Sequence, residues 1–482
     1  MERIGDTMAV PRLSRRTLGE RRPELLDSVQ GEDIGAGILH LGIGAFHRAH
    51  QAVLTEQALL VEPGDWAIRG VSYRGPGAAD ALNPQDGLYT VVERGANERF
   101  RMVGAVRDVL YQRPDEVRAM LASSECRIVT ITVTEAGYRH DPATNRLRRD
   151  DPELTADLAG RTPRTVIGQL VDGLRARRSR GEDAPITVLS CDNLLDNGKL
   201  VAGLARDFCA LAGNPALADW IDGHVAFPST VVDQIVPAPT GDCLREVEAR
   251  LGLSDHAAVA GEAYRQWVIE EFDGPRPAWD RVGARFVPDI AAAQARKLRL
   301  VNGTHSAIAY LGLLAELETT AELVREEDFA EYIQALVRAE TGPSLGNGDG
   351  EEAERIVRRL ATPRIDHRLR QIAGQGARKL PQRLLEPARD LLAAGREPRL
   401  ICLGIAGWIS FLRGAKETGA LDEDSRELAA APDVDRLLGA WRGCPEDLRE
   451  SKIFRDLIAE ALDGLRSDGV RRTVRRAVAE RN

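Results

Sequence analysis

The alternation of short β-branched runs with helical stretches over the first 290 residues constrains the fold of this chain more than any other feature. The runs "GILHLG", "WAIRGV", "CRIVTITVT" and "APITVLSC" are separated by helical stretches such as "DEVRAMLASS" and "TVIGQLVDGLRARR". Parallel strands need long crossovers, which are usually helices, so this pattern predicts a largely parallel sheet covered by helices. We therefore predict an α/β domain over residues 1–290.

The hydrophobic pattern of the sequence changes after the Pro- and Gly-rich stretch at 272–289. Beyond it, amphipathic segments such as "AIAYLGLLAEL" and "LICLGIAGWISFL" predominate, and little resembles a strand. Apolar residues at helical spacing predict helices. We therefore predict a mainly α-helical domain over residues 291–482, in a chain of 482 residues that is long enough for two separate cores.

Composition excludes several classes of protein. A formal net charge of -9 argues against general binding to nucleic acid or to a membrane surface. The N-terminal segment lacks the apolar core of a signal peptide, and the sequence has no run of about 20 apolar residues that would cross a membrane. The six cysteines form no CxxC pair and the eight histidines show no metal-ligand spacing. We predict a cytoplasmic protein that uses no metal.

A glycine motif follows the first apolar strand. The stretch "GILHLGIGAFHRAH" passes through Gly42 and Gly44 into a predicted helix, "HRAHQAVLTEQAL". Two glycines in this position permit a tight turn and the close approach of a dinucleotide pyrophosphate. His47 replaces the third glycine of the GxGxxG fingerprint, so a plain turn without a ligand is the alternative. If the turn binds a dinucleotide, the domain is predicted to be Rossmann-like.

Two other predicted strands end in polar residues. The strand after the glycine motif ends in Ser72, Tyr73 and Arg74 instead of an acid, which leaves the choice between NAD and NADP open. The strand in "VLSCDNLLDNG" ends in Asp192 and Asn193. Ligands of α/β sheets gather at such strand ends, although an Asx-rich turn is the simpler interpretation.

The stretch "KLRLVNGTH" places Lys297, Asn302 and His305 at the head of an apolar run. At about 3.6 residues per turn, the three positions fall within an arc of about 140°, so one helix would present them to a common cleft. In the alternative interpretation, Asn302 begins a turn, Lys297 is solvated and His305 is a core histidine.

Six motifs in order resemble the long-chain mannitol dehydrogenase family: "GIGAFHRAHQ", "TVTEAGY", "SCDNLLDNG", "FPSTVVDQIVP", "KLRLVNGTHS" and "RKLPQR". The resemblance spans most of the chain. It implies a nucleotide-binding N-terminal domain and a helical C-terminal domain, with the active site between them and no catalytic metal. Phe46, His47 and Arg48 are then predicted to bind the cofactor together with Gly42 and Gly44.

The resemblance also assigns catalytic roles. It implies that Lys297 is the general base, that Asn193 and Asn302 hold the reacting oxygen, and that His305 orients the substrate. A lysine is a weak base at its ordinary pKa of about 10.4, but a desolvated cleft favours the neutral amine. Two amides stabilise the negative charge that builds on oxygen as hydride leaves.

Some positions depart from the family pattern. Gln294 stands where relatives often carry a glutamate, so Glu135 is the remaining candidate for relaying the released proton and lining the substrate site. Gln234 replaces a common arginine after Asp233. We assign Asp233 no chemical role beyond shaping the site.

The predicted substrate depends on two cations. Lys379 and Arg383 lie four residues apart, so on a helix they point the same way and suit a carboxylate. This favours D-mannonate and D-fructuronate over D-mannitol and D-fructose, although a solvated Arg383 would suit a polyol equally well.

The sequence thus predicts an NAD-dependent oxidoreductase, with NADP not excluded. Its partner is a sugar substrate, and the chain is predicted to be a monomer or weak homo-oligomer that binds neither nucleic acid nor membrane. The rival hypothesis of another class is a nucleotide-binding sensor that has lost catalysis. It is disfavoured because Lys297, Asn302 and Asn193 are all present.

Overall fold

A computed structural model describes residues 10–18, 34–346, 350–362, 364–365, 367–416 and 423–480. The chain divides into two compact units, Met1–Ile290 and Ala291–Asn482. The first unit is built around strands and the second around helices. The predicted fold class, an α/β domain followed by a mainly helical one, is confirmed.

The described part of the first unit contains short strands throughout. They are β1 (Ile38–Leu41), β2 (Ile68–Ser72), β3 (Tyr89–Arg94), β4 (Arg99–Val103), β5 (Val106–Tyr111), β6 (Ile128–Ile131), β7 (His140–Asp141), β8 (Arg146–Leu147), β9 (Ile186–Ser190), β10 (Val225–Ala226), β11 (Thr230–Asp233), β12 (Val259–Glu262), β13 (Gln266–Glu270) and β14 (Arg285–Val287). The four strands predicted from sequence runs correspond to β1, β2, β6 and β9.

Six of these strands form one parallel sheet in the order β10-β9-β6-β1-β2-β5. Counted within this sheet, the order is that of the doubly wound dinucleotide-binding fold, in which the chain reverses direction across the sheet between β1 and β6. Ligands of such sheets bind at the carboxyl ends of the strands near this switch point. The smaller sheets are β12-β3-β4, β11-β13-β14 and β7-β8.

Helices cover the large sheet on both faces. The helices of the described part of the first unit are α1 (Ala45–Ala49), α2 (Gln51–Val61), α3 (Gly77–Leu82), α4 (Pro114–Leu121), α5 (Pro152–Leu158), α6 (Val166–Ser179), α7 (Asn197–Leu211), α8 (Pro215–His224) and α9 (Gly241–Leu251), with short 3₁₀ turns at Asn83–Gln85, Glu135–Tyr138 and Trp279–Val282. Alternate residues of β1 enter opposite cores: Leu39 and Leu41 pack on one face, Ile38 on the other. This two-sided burial explains why the parallel strands read as continuous apolar runs.

One detail differs from the sequence-based expectation, and a second concerns the Pro- and Gly-rich stretch. The helix predicted after the glycine motif is interrupted at His50, whose φ and ψ of -113° and -87° separate α1 from α2. The Pro- and Gly-rich stretch at 272–289 belongs to the first unit, because Trp279 within it is fully buried and its indole nitrogen donates to Thr55 Oγ1 at 3.1 Å. Aromatic burial thus outweighs the linker-like composition.

The described part of the second unit is helical. Its α-helices are α10 (Ala291–Arg296), α11 (Gly303–Leu314), α12 (Thr320–Leu323), α13 (Glu327–Ala335), α14 (Gly350–Leu360), α15 (Leu369–Ala373), α16 (Gly376–Leu380), α17 (Glu386–Ala393), α18 (Arg399–Lys416), α19 (Glu423–Ala429), α20 (Val434–Ala440), α21 (Glu446–Glu450), α22 (Lys452–Ser467) and α23 (Val470–Ala479). Three π-helical segments, Lys297–Asn302, Leu336–Thr341 and Pro381–Leu385, join some of them, and Pro343–Leu345 is a 3₁₀ turn.

The core of the second unit is centred on α11 and α18. The two helices approach closely, since a Cβ on Gly404 would lie 2.8 Å from the Cβ of Ala307. A large apolar cluster surrounds this contact. Although α18 is apolar, none of the helices in the described residues has both the length and the hydropathy that a membrane crossing requires.

Candidate active site

The glycine turn begins where β1 ends, at the switch point of the sheet. Gly42 has a φ of 99°, and a Cβ there would lie 2.3 Å from the carbonyl oxygen of Thr132. Packing therefore requires glycine at position 42. Gly44 is exposed, and a Cβ there would come no nearer than 3.9 Å to the atoms around it. Its bare backbone leaves open space beside the turn, which fits the pyrophosphate of a dinucleotide.

His47 lies behind this turn. Its ring is fully buried and stacks on His40, with ring centres 3.3 Å apart. His40 is held by hydrogen bonds to the hydroxyls of Thr130 at 2.8 Å and Thr132 at 3.0 Å. Burial lowers the pKa of His40 to about 3 and also holds the pKa of His47 well below its ordinary value. Both rings are therefore neutral parts of the scaffold.

Arg48 is also turned inward. Its guanidinium donates to the carbonyl oxygens of Gly44 and Ala257 and lies 5.9 Å from the centre of the Tyr89 ring. Phe46 is only partly buried and stacks on His50 at 5.1 Å. The structure therefore gives the predicted cofactor residues two positions: Gly42, Gly44 and Phe46 are at least partly exposed, whereas His47 and Arg48 brace the turn from inside. Direct contact of His47 and Arg48 with a cofactor stays a prediction.

Asp192 links the loops after β6 and β9, and sequence reasoning did not assign it a role. Its carboxylate accepts hydrogen bonds from the backbone N–H groups of Val133 and Thr134, both at 2.9 Å, and from the Tyr138 hydroxyl at 2.7 Å. Burial raises the pKa of Asp192, although these three donors oppose the shift. The only sequence signal was an acid at the end of a buried strand.

The predicted residues Glu135 and Asn193 are chain neighbours of this hydrogen bond: Glu135 follows Thr134, and Asn193 follows Asp192. Thr134, just before Glu135, has a φ of 66° and a ψ of 165°, a region that is strained for any residue except glycine. Glu135 begins the 3₁₀ turn and is partly exposed, and Asn193 is exposed. The Asp192 hydrogen bonds thus bring these two predicted residues into one loop cluster at the carboxyl edge of the sheet.

The second cluster of predicted residues lies in the helical unit. Lys297 is the first and Asn302 the last residue of a π-helix, and His305 follows in α11. The sequence-based prediction of one regular α-helix through Lys297, Asn302 and His305 is wrong here, because the segment is partly π-helical. A π-helix bonds residues five apart, so Asn302 lies closer to the face of Lys297 than the α-helical separation of about 140° would give. Such segments occur frequently at functional sites.

Two amide groups in this segment have buried nitrogen atoms without a partner. Asn302 Nδ2 and Gln294 Nε2 are inaccessible to solvent and find no hydrogen-bond acceptor among the residues that the structure describes. A buried unpaired donor costs about 1–3 kcal/mol. Donors left unpaired in this way are available to a bound oxygen atom.

His305 is held in one orientation. Its Nδ1 donates to the Val301 carbonyl oxygen at 2.6 Å. The ring of His367 lies 5.3 Å away. His367 was not singled out in the sequence, where its spacing of 62 positions from His305 gave no signal.

Two ion pairs fix the π-helix that carries Lys297. Arg296 pairs with Glu352 of α14 at 2.7 Å, and Arg299 pairs with Asp390 of α17 at 2.6 Å. The cationic neighbours of Lys297 are therefore engaged with carboxylates from other helices. They anchor the segment on both sides.

Lys379 and Arg383 contact different partners. The Lys379 ammonium donates to the Gly374 carbonyl oxygen at 2.7 Å, whereas Arg383 Nη1 donates to Ser306 Oγ at 3.0 Å, beside His305. Burial lowers the pKa of Arg383 to about 10, so the group stays cationic at neutral pH. Sequence spacing put the two cations together, and the structure links Arg383 to Ser306, the residue after His305. Asp366, at the start of the segment from which they were predicted, lies outside the described residues.

The described parts of the chain show neither a metal-ligand group nor a reactive thiol. No group of three or more His, Cys, Asp or Glu residues there is arranged to hold a metal ion. The six cysteines are free and buried, and burial raises the pKa of Cys191, beside Asp192, far above its ordinary value. Cys191 is therefore a packing residue and not a nucleophile.

The fold and these clusters define a class of protein: an oxidoreductase with a dinucleotide-binding parallel sheet and a separate helical domain. Residues 36–281 match the family model of the mannitol dehydrogenase Rossmann domain, and residues 289–462 match that of the mannitol dehydrogenase C-terminal domain. The chain belongs to the mannitol dehydrogenase family. The resemblance seen in the sequence motifs is confirmed.

Several known proteins are similar over nearly the whole chain. D-mannonate oxidoreductase of Escherichia coli K12 is 39% identical over 462 residues, which cover 91% of this chain and 94% of the relative. Mannitol 2-dehydrogenase of Phaeosphaeria nodorum is 33% identical over 489 residues, covering 97% and 85%. A solved ternary complex of Pseudomonas fluorescens mannitol 2-dehydrogenase with NAD and D-mannitol matches with a TM-score of 0.84 at 31% identity, covering 97% of this chain and 100% of that one. Relatives named for both substrates are thus comparably similar, and a choice between them depends on the site itself.

Proposed function

We propose that this chain catalyses the reversible, NAD-dependent oxidation of the C2 alcohol of D-mannonate to the 2-keto acid D-fructuronate. The observation that carries the choice of substrate is Arg383. Its guanidinium is largely buried and donates to the neutral hydroxyl of Ser306, and no carboxylate pairs with it among the described residues. A buried cation without a counter-charge is costly. The carboxylate of a hexonate would supply that counter-charge.

The catalytic roles proposed for the chain follow its polar groups. A bound nicotinamide cofactor would accept the hydride from C2. Lys297 takes the proton of the alcohol, while Asn302 and Asn193 donate side-chain N–H groups to the oxygen that gains negative charge. His305 orients the substrate, and its own ring is held by the bond from Nδ1 to the Val301 carbonyl oxygen. The unpaired Nδ2 of Asn302 supports this proposal, because a donor aimed at the reacting oxygen needs no other partner.

The proposed cofactor site is the turn after β1. Gly42 and Gly44 allow the pyrophosphate to approach the backbone, and Phe46 adds a partly exposed ring beside it. Glu135 relays the released proton, since Gln294 has no carboxylate for that purpose. NAD is the proposed cofactor, in keeping with the NAD bound in the solved mannitol 2-dehydrogenase.

The second candidate is oxidation of D-mannitol to D-fructose. The observation that favours it is the hydrogen bond from Lys379 to the Gly374 carbonyl oxygen, which takes up one donor of a cation predicted to hold a carboxylate. The solved relative with D-mannitol adds weight to it. A non-catalytic sensor of nucleotide binding would have no need of Lys297, Asn302 and Asn193 together. We further propose that the chain is a monomer or weak homo-oligomer, which sedimentation would test.

A substrate screen tests the choice. We expect the protein to oxidise NADH faster with D-fructuronate than with D-fructose, tagaturonate or xylulose at equal concentration. Arg383→Met should raise KM for fructuronate by about tenfold or more, as expected for losing a charge-assisted contact, and should leave activity with fructose nearly unchanged. Ser306→Ala is the matched control, because it removes the hydroxyl partner of Arg383 while keeping the charge. A preference for fructose that survives Arg383→Met would make the enzyme a mannitol dehydrogenase.

A further inference from the structure

The carboxyl end of β2 lies at the edge of the sheet that carries the glycine turn. β2 runs parallel to β1, and Leu41 is in register with Val71. In dinucleotide-binding sheets this strand end meets the ribose of the adenosine half. An acid there binds the 2′-hydroxyl of NAD, and an arginine accommodates the 2′-phosphate of NADP. The residues after β2 therefore determine which cofactor fits.

These residues carry no negative charge. Ser72 is the last residue of β2, and Tyr73 and Arg74 follow it. The Tyr73 hydroxyl donates to Gln169 Oε1 at 2.7 Å, so its polar end is engaged away from the strand end. The first carboxylate after the strand is that of Asp80, within α3. An acid in position for the ribose hydroxyls is missing from this strand end.

Arg74 differs from the other cations near this edge. It is exposed, and no hydrogen bond or ion pair engages it among the residues described. Arg113, after the neighbouring strand β5, pairs with Glu116 at 2.7 Å, and Arg69 within β2 pairs with Asp108 at 2.6 Å. Arg74 thus contributes an uncompensated positive charge at the ribose end of the site.

The surface beside Arg74 is open. Ser72 Oγ donates to the carbonyl oxygen of Gly75 at 2.7 Å and closes a short turn around Arg74. Gly75 has a φ of 147°, and a Cβ on Gly75 or on Gly77 would meet no atom within 4 Å. Neither glycine is explained by packing against the rest of the chain. The turn therefore leaves room for a group the size of a phosphate next to a guanidinium and a hydroxyl.

We propose that Arg74, in the turn that Ser72 closes, forms a subsite for a phosphate on the 2′-oxygen of the adenosine ribose, so that the chain binds NADP(H) as well as NAD(H). The inference rests on the proposed function only in requiring a dinucleotide at the glycine turn. Arg74 supplies a planar, permanently charged donor, which suits a dianionic phosphate better than a hydroxyl. The Ser72 hydroxyl holds the turn around Arg74 through its hydrogen bond to the Gly75 carbonyl oxygen.

The test measures binding to the full-length protein without substrate. Titrations of NADH and NADPH, followed by nucleotide fluorescence, are compared in the wild type and in Arg74→Ala, Arg74→Glu and Arg107→Ala. Arg107 is the matched control, because it is also an exposed arginine but lies near the amino end of β5, at the opposite edge of the parallel sheet. Competition by 2′,5′-ADP and by 5′-AMP reports on the 2′-phosphate alone.

We expect the wild type to bind NADPH at least as tightly as NADH and to bind 2′,5′-ADP more tightly than 5′-AMP. Arg74→Ala should weaken NADPH binding by about tenfold or more, Arg74→Glu should weaken it further, and both should leave NADH binding nearly unchanged. Arg107→Ala should behave as the wild type. The proposal is overturned if NADH binds while NADPH binds far more weakly, or if Arg74→Ala affects both nucleotides equally. Binding of neither nucleotide would instead overturn the proposed function together with this subsite.

Discussion

The buried polar groups at the carboxyl edge of the sheet differ in their hydrogen bonding from those around the π-helix that begins at Lys297. At the sheet edge, the Asp192 carboxylate accepts three hydrogen bonds and the His40 ring bonds two threonine hydroxyls. In the second unit, Asn302 Nδ2 at the end of the π-helix and Gln294 Nε2 in α10 have no partner among the described residues. The Asp192 carboxylate and the His40 ring have their partners within the first unit, whereas the two amides of the second unit have none among the described residues. Both ring nitrogens of His47, behind the glycine turn, are also buried without a partner there.

This difference separates groups that hold a site from groups that bind at it. A buried donor without a partner destabilises the protein, and such a cost is tolerated where a ligand supplies the missing acceptor. A carboxylate that accepts three donors has little capacity left for a ligand but fixes the loops around it. We therefore expect substitution of the Asp192 carboxylate to change mainly stability, and substitution of the proposed catalytic groups, Lys297, Asn302 and Asn193, to change mainly turnover.

The largest effect is expected for Lys297→Ala. Loss of a general base should lower kcat by about 10²-fold or more, while NADH binding stays near that of the wild type. Steady-state rates and nucleotide titration measure the two quantities. Lys452→Ala, at an exposed lysine paired with Asp456 in α22, is the matched control and should change neither. Turnover close to that of the wild type at neutral pH would remove Lys297 from the mechanism.

Asn302→Ala should lower kcat/KM by about 2.7–4 kcal/mol in transition-state stabilisation, which is the scale for removing one oxyanion donor. The free energy of unfolding should fall little, because the lost donor has no partner within the described chain. Asn193→Ala should have a similar kinetic effect. An increase in KM alone, with kcat preserved, would make these amides binding groups instead of transition-state donors.

Asp192→Asn tests the sheet edge. An amide offers one acceptor oxygen where the carboxylate offers two, so at least one of the N–H groups of Val133 and Thr134 loses its acceptor. We expect the free energy of unfolding to fall by about 1–3 kcal/mol, as measured by denaturant titration. Asp150→Asn, at an exposed acid in the same unit, should be neutral. If Asp192→Asn kept full stability but lost activity, the contrast between the two regions would fail.

The smallest effect is expected for Thr134→Gly. Glycine adopts a φ of 66° with a ψ of 165° without strain, so relief should outweigh the added entropy of the unfolded chain and raise the free energy of unfolding by about 1 kcal/mol. Thr134→Ala keeps the Cβ and therefore the strain, and it serves as the comparison. Equal stability of the Gly and Ala variants would show that the backbone at this position is not strained.

Local patterns in the sequence were sufficient for much of the fold. The strands β1, β2, β6 and β9 were predicted because strands buried on both faces form continuous apolar runs. Asn302, Lys297 and His305 stood out because polar side chains interrupt an apolar segment. The interruption at His50 was missed because "HRAHQAVLTEQAL" contains neither proline nor glycine to mark it.

Other features of the site depend on contacts between residues distant in sequence. The link from Asp192 to Val133 and Thr134 spans 59 and 58 positions, and the bond from Arg383 to Ser306 spans 77. The spacing of Lys379 and Arg383 predicted a pair, and the structure gives them separate partners, Gly374 and Ser306. Only the tertiary structure shows that Arg383 bonds the residue next to His305.

The sequence by itself determined the class of each unit and the residue types at its strand ends and polar interruptions, because hydrophobic periodicity and side-chain chemistry are local properties. The tertiary structure decided the hydrogen-bond register of the π-helix, the inward position of His47 and Arg48, and the pairing of buried polar groups. Those outcomes depend on which distant atoms can satisfy a buried donor or acceptor. A one-dimensional pattern contains the donors and acceptors, but folding alone determines their partners.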